Sequence, residues 1–449
     1  MSRLLILTCC WCLTILMAVP QGAFAEERDS VFQAETPFSE KKDNVLKVDL
    51  QLLSHGEARN GGMPEESIDD NSRFVMGRER LVIDYERPGL ETKLNIQHNG
   101  IWGQSGKGAF NVFEAWAKMS AKNGMFAQIG RIALSYDDER IIGTNDWAMA
   151  SLSHDALRLG YEGRGHKAHV ILSYNQNAEN VTEGGSFYKN GAQPYKTMQT
   201  VWYHYDVPKL PIGASLLFMN IGMQGGEKQN DPHTEYQQLL GGYVSFHPKH
   251  LTLEGSYYYQ FGKSEDGLEI DAWMASGKAT WNPTDKYGFD LGFDYMSGDK
   301  NFAVPPHGML GVTRHEAIKG FNPIYGSHHK FYGAMDFFYV STYVSGFTPG
   351  LQNAYIGGHT QPFKGFSVQA TYHYLATATK LNEMNMTLGH ELEIQAKYTI
   401  SKDIRLSGGF SYMIGTETME KLKRASADGS LRWGWISLSI TPRIFTTKW

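Results

Sequence analysis

A period-two alternation, held over segments longer than ordinary soluble strands, is the feature that most limits how this chain folds. In YGFDLGFDYMSGDK (287–300), Phe289, Leu291, Phe293 and Tyr295 share one face of an extended strand. Asp290, Gly292, Asp294 and Met296 share the other. Successive side chains of a strand point to opposite faces, so each such segment has an apolar and a polar side. The pattern recurs at Leu90-Thr92-Leu94-Ile96, Leu253-Gly255-Tyr257-Tyr259, Phe366-Val368-Ala370-Tyr372-Tyr374 and Leu392-Ile394-Ala396-Tyr398. Most runs are about 9–13 residues, against about 5–6 for soluble strands and about 9–11 for membrane-spanning ones. No stretch keeps a helical period over several turns, and no nucleotide-binding glycine motif stands between a strand and a helix.

The connections alternate as well. Tight turns fall at 87–89, 122–124, 163–165, 208–211, 248–250, 283–286, 361–364 and 401–403. Longer polar links begin near residues 59, 104, 133, 176, 223, 262, 298, 376 and 415. Eight turns and nine links join 18 strands, an even number with both termini on one side, as in outer-membrane barrels with short periplasmic turns and long outer loops. A soluble β-sandwich also alternates, but it leaves open edges that closure removes. The expected fold is therefore all-β, an 18-stranded antiparallel transmembrane barrel over 45–449. Phe289, Leu291, Phe293 and Tyr295 then face lipid, while Asp290 and Asp294 face a polar lumen. KFYGAMDFFYVSTY (330–343) also looks strand-like, but an extra strand breaks the parity, so it is read as an outer loop folding inward.

The first 25 residues read as a signal peptide: Arg3, an apolar core from Leu4 to Val19, and an Ala23-Phe24-Ala25 cleavage site. Residues 26–44 read as a flexible lead-in. Cys9, Cys10 and Cys12 all lie in the first segment, which suits an exported envelope protein without disulfides. A net charge of −5 gives no footprint for nucleic acid. The expected location is the Gram-negative outer membrane, with lipid and the barrel-assembly machinery as partners; Trp449 supplies the terminal aromatic usual where a last strand is handed over. A monomer is expected, with no cofactor and no metal.

Several segments resemble one family. GRIALSYDDERIIG (130–143) with Trp147, DALRLGYEG (155–163), NPIYGSHHKFYGAMDFFYV (322–340), GLQNAYIGG (350–358) and LGHELEIQAKYTISKDIRLSGGFSYMIG (388–415) are similar to the alginate-export outer-membrane barrels, in versions found in Bacteroidetes-type bacteria. The resemblance implies a monomeric 18-stranded channel that passes a polyuronate through an arginine-rich constriction, and maps that constriction to Arg131, Arg140 and Arg158. This chain departs from the pattern in the acidic cluster Asp137-Asp138-Glu139 beside Arg140.

Residue register sharpens the expected lumen. Arg78, Arg80, Lys93, Lys118 and Arg158 fall inward on strands 2, 3, 4 and 6; Asp290, Asp294, Glu391 and Glu393 fall inward on strands 13 and 16. Such opposed walls set a transverse field across a narrow aqueous gap. The link from Ile132 to His154, carrying Asp137, Asp138, Glu139, Arg140 and Trp147, is long enough to fold into the pore.

Bland readings stand beside the sharper ones. His328-His329 suit loop packing rather than a shared metal, because neighbours on a strand face opposite ways. Glu391 and Glu393 are wall charges rather than a glycosidase pair without an enclosing pocket. In SYYYQF (256–261) only Tyr258 faces inward. Asn180 begins a glycosylation sequon by pattern only. Ser173, Ser215 and Ser256 have no His and acidic partners at recognisable spacing, so enzymatic turnover is not expected. The expected function is passive passage of polar, anionic or carbohydrate-like solutes. The alternative is a plugged barrel serving surface binding, adhesion or an outer-membrane enzyme.

Overall fold

The computed structural model describes residues 43–449 except 61–70, 105–107, 178–186, 190, 227–232, 300–316, 339–347, 382–383 and 424–429. The expected signal segment, nearly all of 26–44, the Asn180 sequon and the last five residues of 330–343 lie outside the described residues. Nineteen strands form one antiparallel sheet: β1 (Val45–Asn60), β2 (Asn71–Arg87), β3 (Leu90–Ile101), β4 (Ala109–Ser120), β5 (Met125–Ile132), β6 (His154–Gly163), β7 (His166–Tyr174), β8 (Thr197–Asp206), β9 (Ile212–Gly225), β10 (His233–Phe246), β11 (Leu251–Lys263), β12 (Glu269–Thr284), β13 (Tyr287–Met296), β14 (Leu351–Phe363), β15 (Phe366–Ala376), β16 (Thr387–Ser401), β17 (Ile404–Gly415), β18 (Leu431–Ile440) and β19 (Arg443–Lys448). β18 and β19 are two halves of one stave, since both pair with β1. The break falls at Pro442, which has no N–H to give the ladder, although its carbonyl still accepts from Leu50. Because β1 also pairs with β2, the sheet closes into the 18-stave barrel expected from the turn parity.

All eight tight turns join the strands they were expected to join, and the nine longer links lie between the remaining pairs. The wall has the anticipated two faces. Phe289, Leu291 and Phe293 are 51%, 62% and 45% exposed, whereas Asp290 and Asp294 are buried in the interior. Tyr258 is likewise buried, and Tyr257 and Tyr259 are on the outside. One seven-residue helix, α1 (Glu417–Lys423), lies in the last long link. No described helix is long and apolar enough to cross a membrane.

The wall is uneven in height. β5 to β8 have 8, 10, 9 and 10 residues, against 17 in β2. β5 stops at Ile132 because the sequence there favours leaving the wall. Gly130 sits at φ 130°, and a Cβ on it would lie 2.1 Å from the Ala115 carbonyl oxygen. The apolar residues Ile132, Ala133 and Leu134 follow, and all three are buried inside the barrel. The chain therefore turns into the lumen instead of continuing upward.

Candidate functional site

The link between β5 and β6 crosses the interior and touches the far wall at several places. Its first half, 133–144, is built like a protein core: Leu134, Tyr136, Ile141 and Ile142 are all buried. Burying four such side chains contributes on the order of 5–10 kcal/mol as an upper figure. Asp137, at φ 54°, accepts hydrogen bonds from Trp202 Nε1 (3.1 Å) on β8 and Ser215 Oγ (2.5 Å) on β9. Burial pushes its carboxyl up to about 6, against the opposing effect of those two donors. Arg140 is the hub. Its guanidinium meets Asp294 on β13 (3.1 Å), Asp138 (3.1 Å) and the Tyr332 hydroxyl (3.1 Å), and lies 3.9 Å from the Phe331 ring centroid. Burial works against its charge, but Asp294, Tyr332 and Asp138 outweigh it, so the group stays firmly protonated.

The second long link, between β13 and β14, comes in to meet the first. Tyr325 and Ile142 form a parallel bridge, with Gly143 N–H donating to the Tyr325 carbonyl (2.9 Å) and Tyr325 N–H to that of Ile141 (3.1 Å). Ser327 N–H donates to the Glu139 carbonyl (2.9 Å), and Lys330 pairs with the Glu139 carboxylate. Residues 330–338 are irregular and folded inward, with Tyr332, Phe337 and Phe338 buried, so their strand-like alternation reflects burial inside the barrel. Gly333, at φ 93°, passes so close to Glu391 that a Cβ would lie 2.3 Å from its carboxylate oxygen. Of the non-glycine residues at positive φ among the described ones, Asp137, Glu139, Asn145, Ile324, Tyr332 and Asp336 lie in these two loops. Unfavourable backbone persists where surrounding contacts over-determine it, and such positions gather at functional sites.

The remainder of the first loop, 145–153, is held differently. Asp146 sits between two arginines of β2: Arg80 Nη1 reaches its Oδ1 at 2.7 Å and Arg78 Nη1 at 3.3 Å. Arg78 also donates to the carbonyls of Asp146 (2.8 Å) and Ala148 (3.0 Å), and Arg80 to Ser151 Oγ (2.7 Å). Gln97 and Asn99 on β3 donate to the Met149 carbonyl at 3.0 and 3.1 Å. Burial opposes the charge on Asp146, but Arg78 and Arg80 outweigh it and hold the carboxyl below its ordinary value. Trp147 stacks on His329 (4.2 Å, 9° between planes) and packs edge-on against Trp435 (4.7 Å) and His55 (5.1 Å).

The expected wall charges point inward with one exception. Lys93 lies 3.9 Å from Asp84 and 3.7 Å from Glu114; Lys118 and Arg158 both stand over Phe126, at 4.7 and 5.3 Å. Asp290 takes Thr280 Oγ1 (2.6 Å) and Lys278 (3.4 Å), while Glu391 accepts the Met335 N–H (3.0 Å) and Glu393 lies 4.0 Å from His373. Arg131 is the exception and a correction. It alternates with buried Gln128 and Ile132 and so faces outward, where it forms a two-pronged pair with Asp155 (2.8 and 2.7 Å) beside exposed Ile129 and Leu172. That pair lines a cavity of about 550 Å³ on the outer wall rather than a constriction. The open transverse field is also replaced: the loops stand between the walls, bringing Asp146 against Arg78 and Arg80, and Arg140 against Asp294.

Two further readings change. His328 and His329 lie in a single 3₁₀ turn rather than a strand; His329 hydrogen-bonds Asp336 (2.7 Å) and packs on Trp147. Among the described residues no group of side chains is arranged to hold a metal. Ser215, for which no partners were visible in sequence, has His204 Nδ1 at 2.8 Å, and His204 Nε2 meets Asp206 at 2.9 Å. The Ser215 hydroxyl also donates to Asp137, so this group ties the loop to the wall.

The arrangement is a closed barrel narrowed by inward loops, and the model of the family described as "Alginate export" matches residues 104–387, which include both loops. The chain belongs to the alginate-export family. The barrel is thus of the outer-membrane kind. Among solved structures it is similar to Pseudomonas aeruginosa OccK11 (OpdR), at 13% identity and TM-score 0.59, covering 91% of this chain and 100% of that one. Acinetobacter baumannii OccAB1 matches at 12% identity and TM-score 0.60, covering 89% and 97%. Pseudomonas aeruginosa OccK2 (OpdF), solved in complex with glucuronate, matches at 11% and 0.59, covering 89% and 98%. At these identities the likeness is one of fold. No curated sequence matches the chain. Of the three arginines expected at a constriction, Arg140 and Arg158 project inward and Arg131 does not. Asp146, Ser151, Trp202, Ser215 and Tyr332, which complete the site, carried no local signal; only their polar or aromatic character at lumen-side positions hinted at them.

Proposed function

We propose that the chain is a passive, monomeric outer-membrane channel for polar solutes bearing a carboxylate, such as uronates, without catalytic turnover. The observation that carries this reading is the pair of nearly fully buried arginines, Arg78 and Arg80, facing the lumen across a crossing loop. A planar, two-pronged guanidinium suits carboxylate recognition, and the acidic residues Asp290, Glu391 and Glu393 on the other wall keep the lumen from being uniformly positive. Membership in the alginate-export family and the similarity to OccK2, solved in complex with glucuronate, support an acidic sugar. Liposomes carrying the purified barrel test it. Glucuronate enters faster than glucose at low salt, and the advantage shrinks at high salt as charges are screened. Equal entry of both sugars at all salt concentrations overturns the carboxylate preference. The backbone bridge between the two loops favours a second reading, a plugged barrel that binds ligands at the cell surface. Liposomes with folded barrel that admit neither sugar would select it.

A further inference from the structure

The Arg78–Arg80 cradle already holds a carboxylate, and that carboxylate belongs to the loop. Both guanidiniums converge on Asp146, with Ser151 Oγ bridging Arg80 (2.7 Å) and the Asp146 carboxylate (2.9 Å). The arginines are 7% and 2% exposed, and the Phe113 ring lies 4.3 Å from Arg80, closing the cradle from the wall side. Asp146 differs: its side chain is 36% exposed, so the occupant reaches open water while the cradle does not. Among the described residues, two positive charges here face the single carboxylate of Asp146. The segment from Asn145 to Ser153 contributes no fully buried residue, so nothing apolar fixes Asp146 in place beyond the packing of Trp147.

We propose that Asp146 is a tethered competitor: it occupies the carboxylate subsite formed by Arg78 and Arg80, and an anionic sugar binds there by displacing it and swinging 145–153 aside. This rests on the reading of the channel as one for carboxylate solutes and names the subsite within it. A ligand that must displace a resident group binds with an apparent affinity lowered by the fraction of time the subsite is free. The competitor therefore sets a threshold, so that weak or singly contacting anions fail to open the segment.

Titration calorimetry with glucuronate on the full barrel in detergent tests this, with glucose as the uncharged control and heat-modifiable gel migration as the check of folding. Asp146→Asn should bind glucuronate at least tenfold more tightly than wild type, with glucose unchanged. Adding Arg80→Gln to that variant should abolish the gain. If Asp146→Asn does not fold, Ser151→Ala, which removes the hydroxyl bridging Asp146 to the two arginines but keeps both guanidiniums, should shift affinity the same way by a smaller factor. Unchanged glucuronate affinity in the folded variant, or an equal gain for glucose, overturns the proposal. Bilayer recording on the same samples separates the two claims. Tighter glucuronate binding without conductance steps sinks the channel reading and leaves the subsite standing; conductance without the affinity gain does the reverse.

Discussion

The two halves of the crossing loop are held by different physics. Residues 133–144 dock through a buried apolar cluster and a buried ion-pair hub, with Arg140 and Asp294 4% and 1% exposed. Residues 145–153 dock through hydrogen bonds and charges whose loop partner, Asp146, is 36% exposed. Burial makes the first half expensive to move, because breaking it strands charge in the interior. The second half has no buried apolar cluster of its own, so its release costs less wherever an incoming anion takes over the pairing with the buried Arg78 and Arg80. One loop thus combines a fixed narrowing with a segment able to move, and chain position alone does not distinguish them.

Replacing Arg140 should break this contrast most severely. Arg140→Ala leaves Asp294 buried without its cation, and such losses cost about 3–5 kcal/mol. The expected outcome is lowered thermal stability of the folded form and faster cleavage of 133–153 by added protease. Arg131→Gln is the matched control from the same sequence motif. Its partner Asp155 is 42% exposed on the outer wall, so the change should alter stability slightly and conductance not at all. A conductance change in Arg131→Gln would mean that the outer pair acts on the lumen.

A smaller effect is expected from pH, and it separates the halves by sign. The Asp137 carboxyl is pushed up to about 6, so its contribution to docking is full below the ordinary value of 3.8 and is lost as pH rises through 6. Asp138 and His204 are the charged groups facing it, and Ser215 and Trp202 its donors. Asp146 is held below its ordinary value, so its docking is lost only at lower pH still. Lowering pH from 7 to 5 should therefore tighten the first half and reduce conductance, and Asp137→Asn should remove that response. A response that persists in Asp137→Asn would assign it to another group.

How much of this was legible in sequence follows from the range of the forces. Alternation and turn chemistry act between neighbours, so the stave count, the tight turns and the lipid-facing side of 287–296 could all be read. The lumen register could be read too, because it depends only on parity. Arg131 escaped because the family motif suggested an inward role while parity, through Gln128 and Ile132, pointed outward. Arg140 meets Tyr332 from 192 positions away and Asp137 meets Ser215 from 78, and no local pattern encodes such pairings. Asp146 is set apart only by Arg78 and Arg80, 68 and 66 positions away, which no local pattern encodes.

Single-channel conductance of a barrel lacking Asp137 to Trp147 tests the central claim most directly, since that deletion removes the anchors Asp137, Arg140 and Asp146 from both halves while leaving every stave intact. A folded deletion variant should show conductance steps clearly larger than those of the wild type in the same salt. Steps of unchanged size would contradict a narrowing made by this loop and move it to the link between β13 and β14.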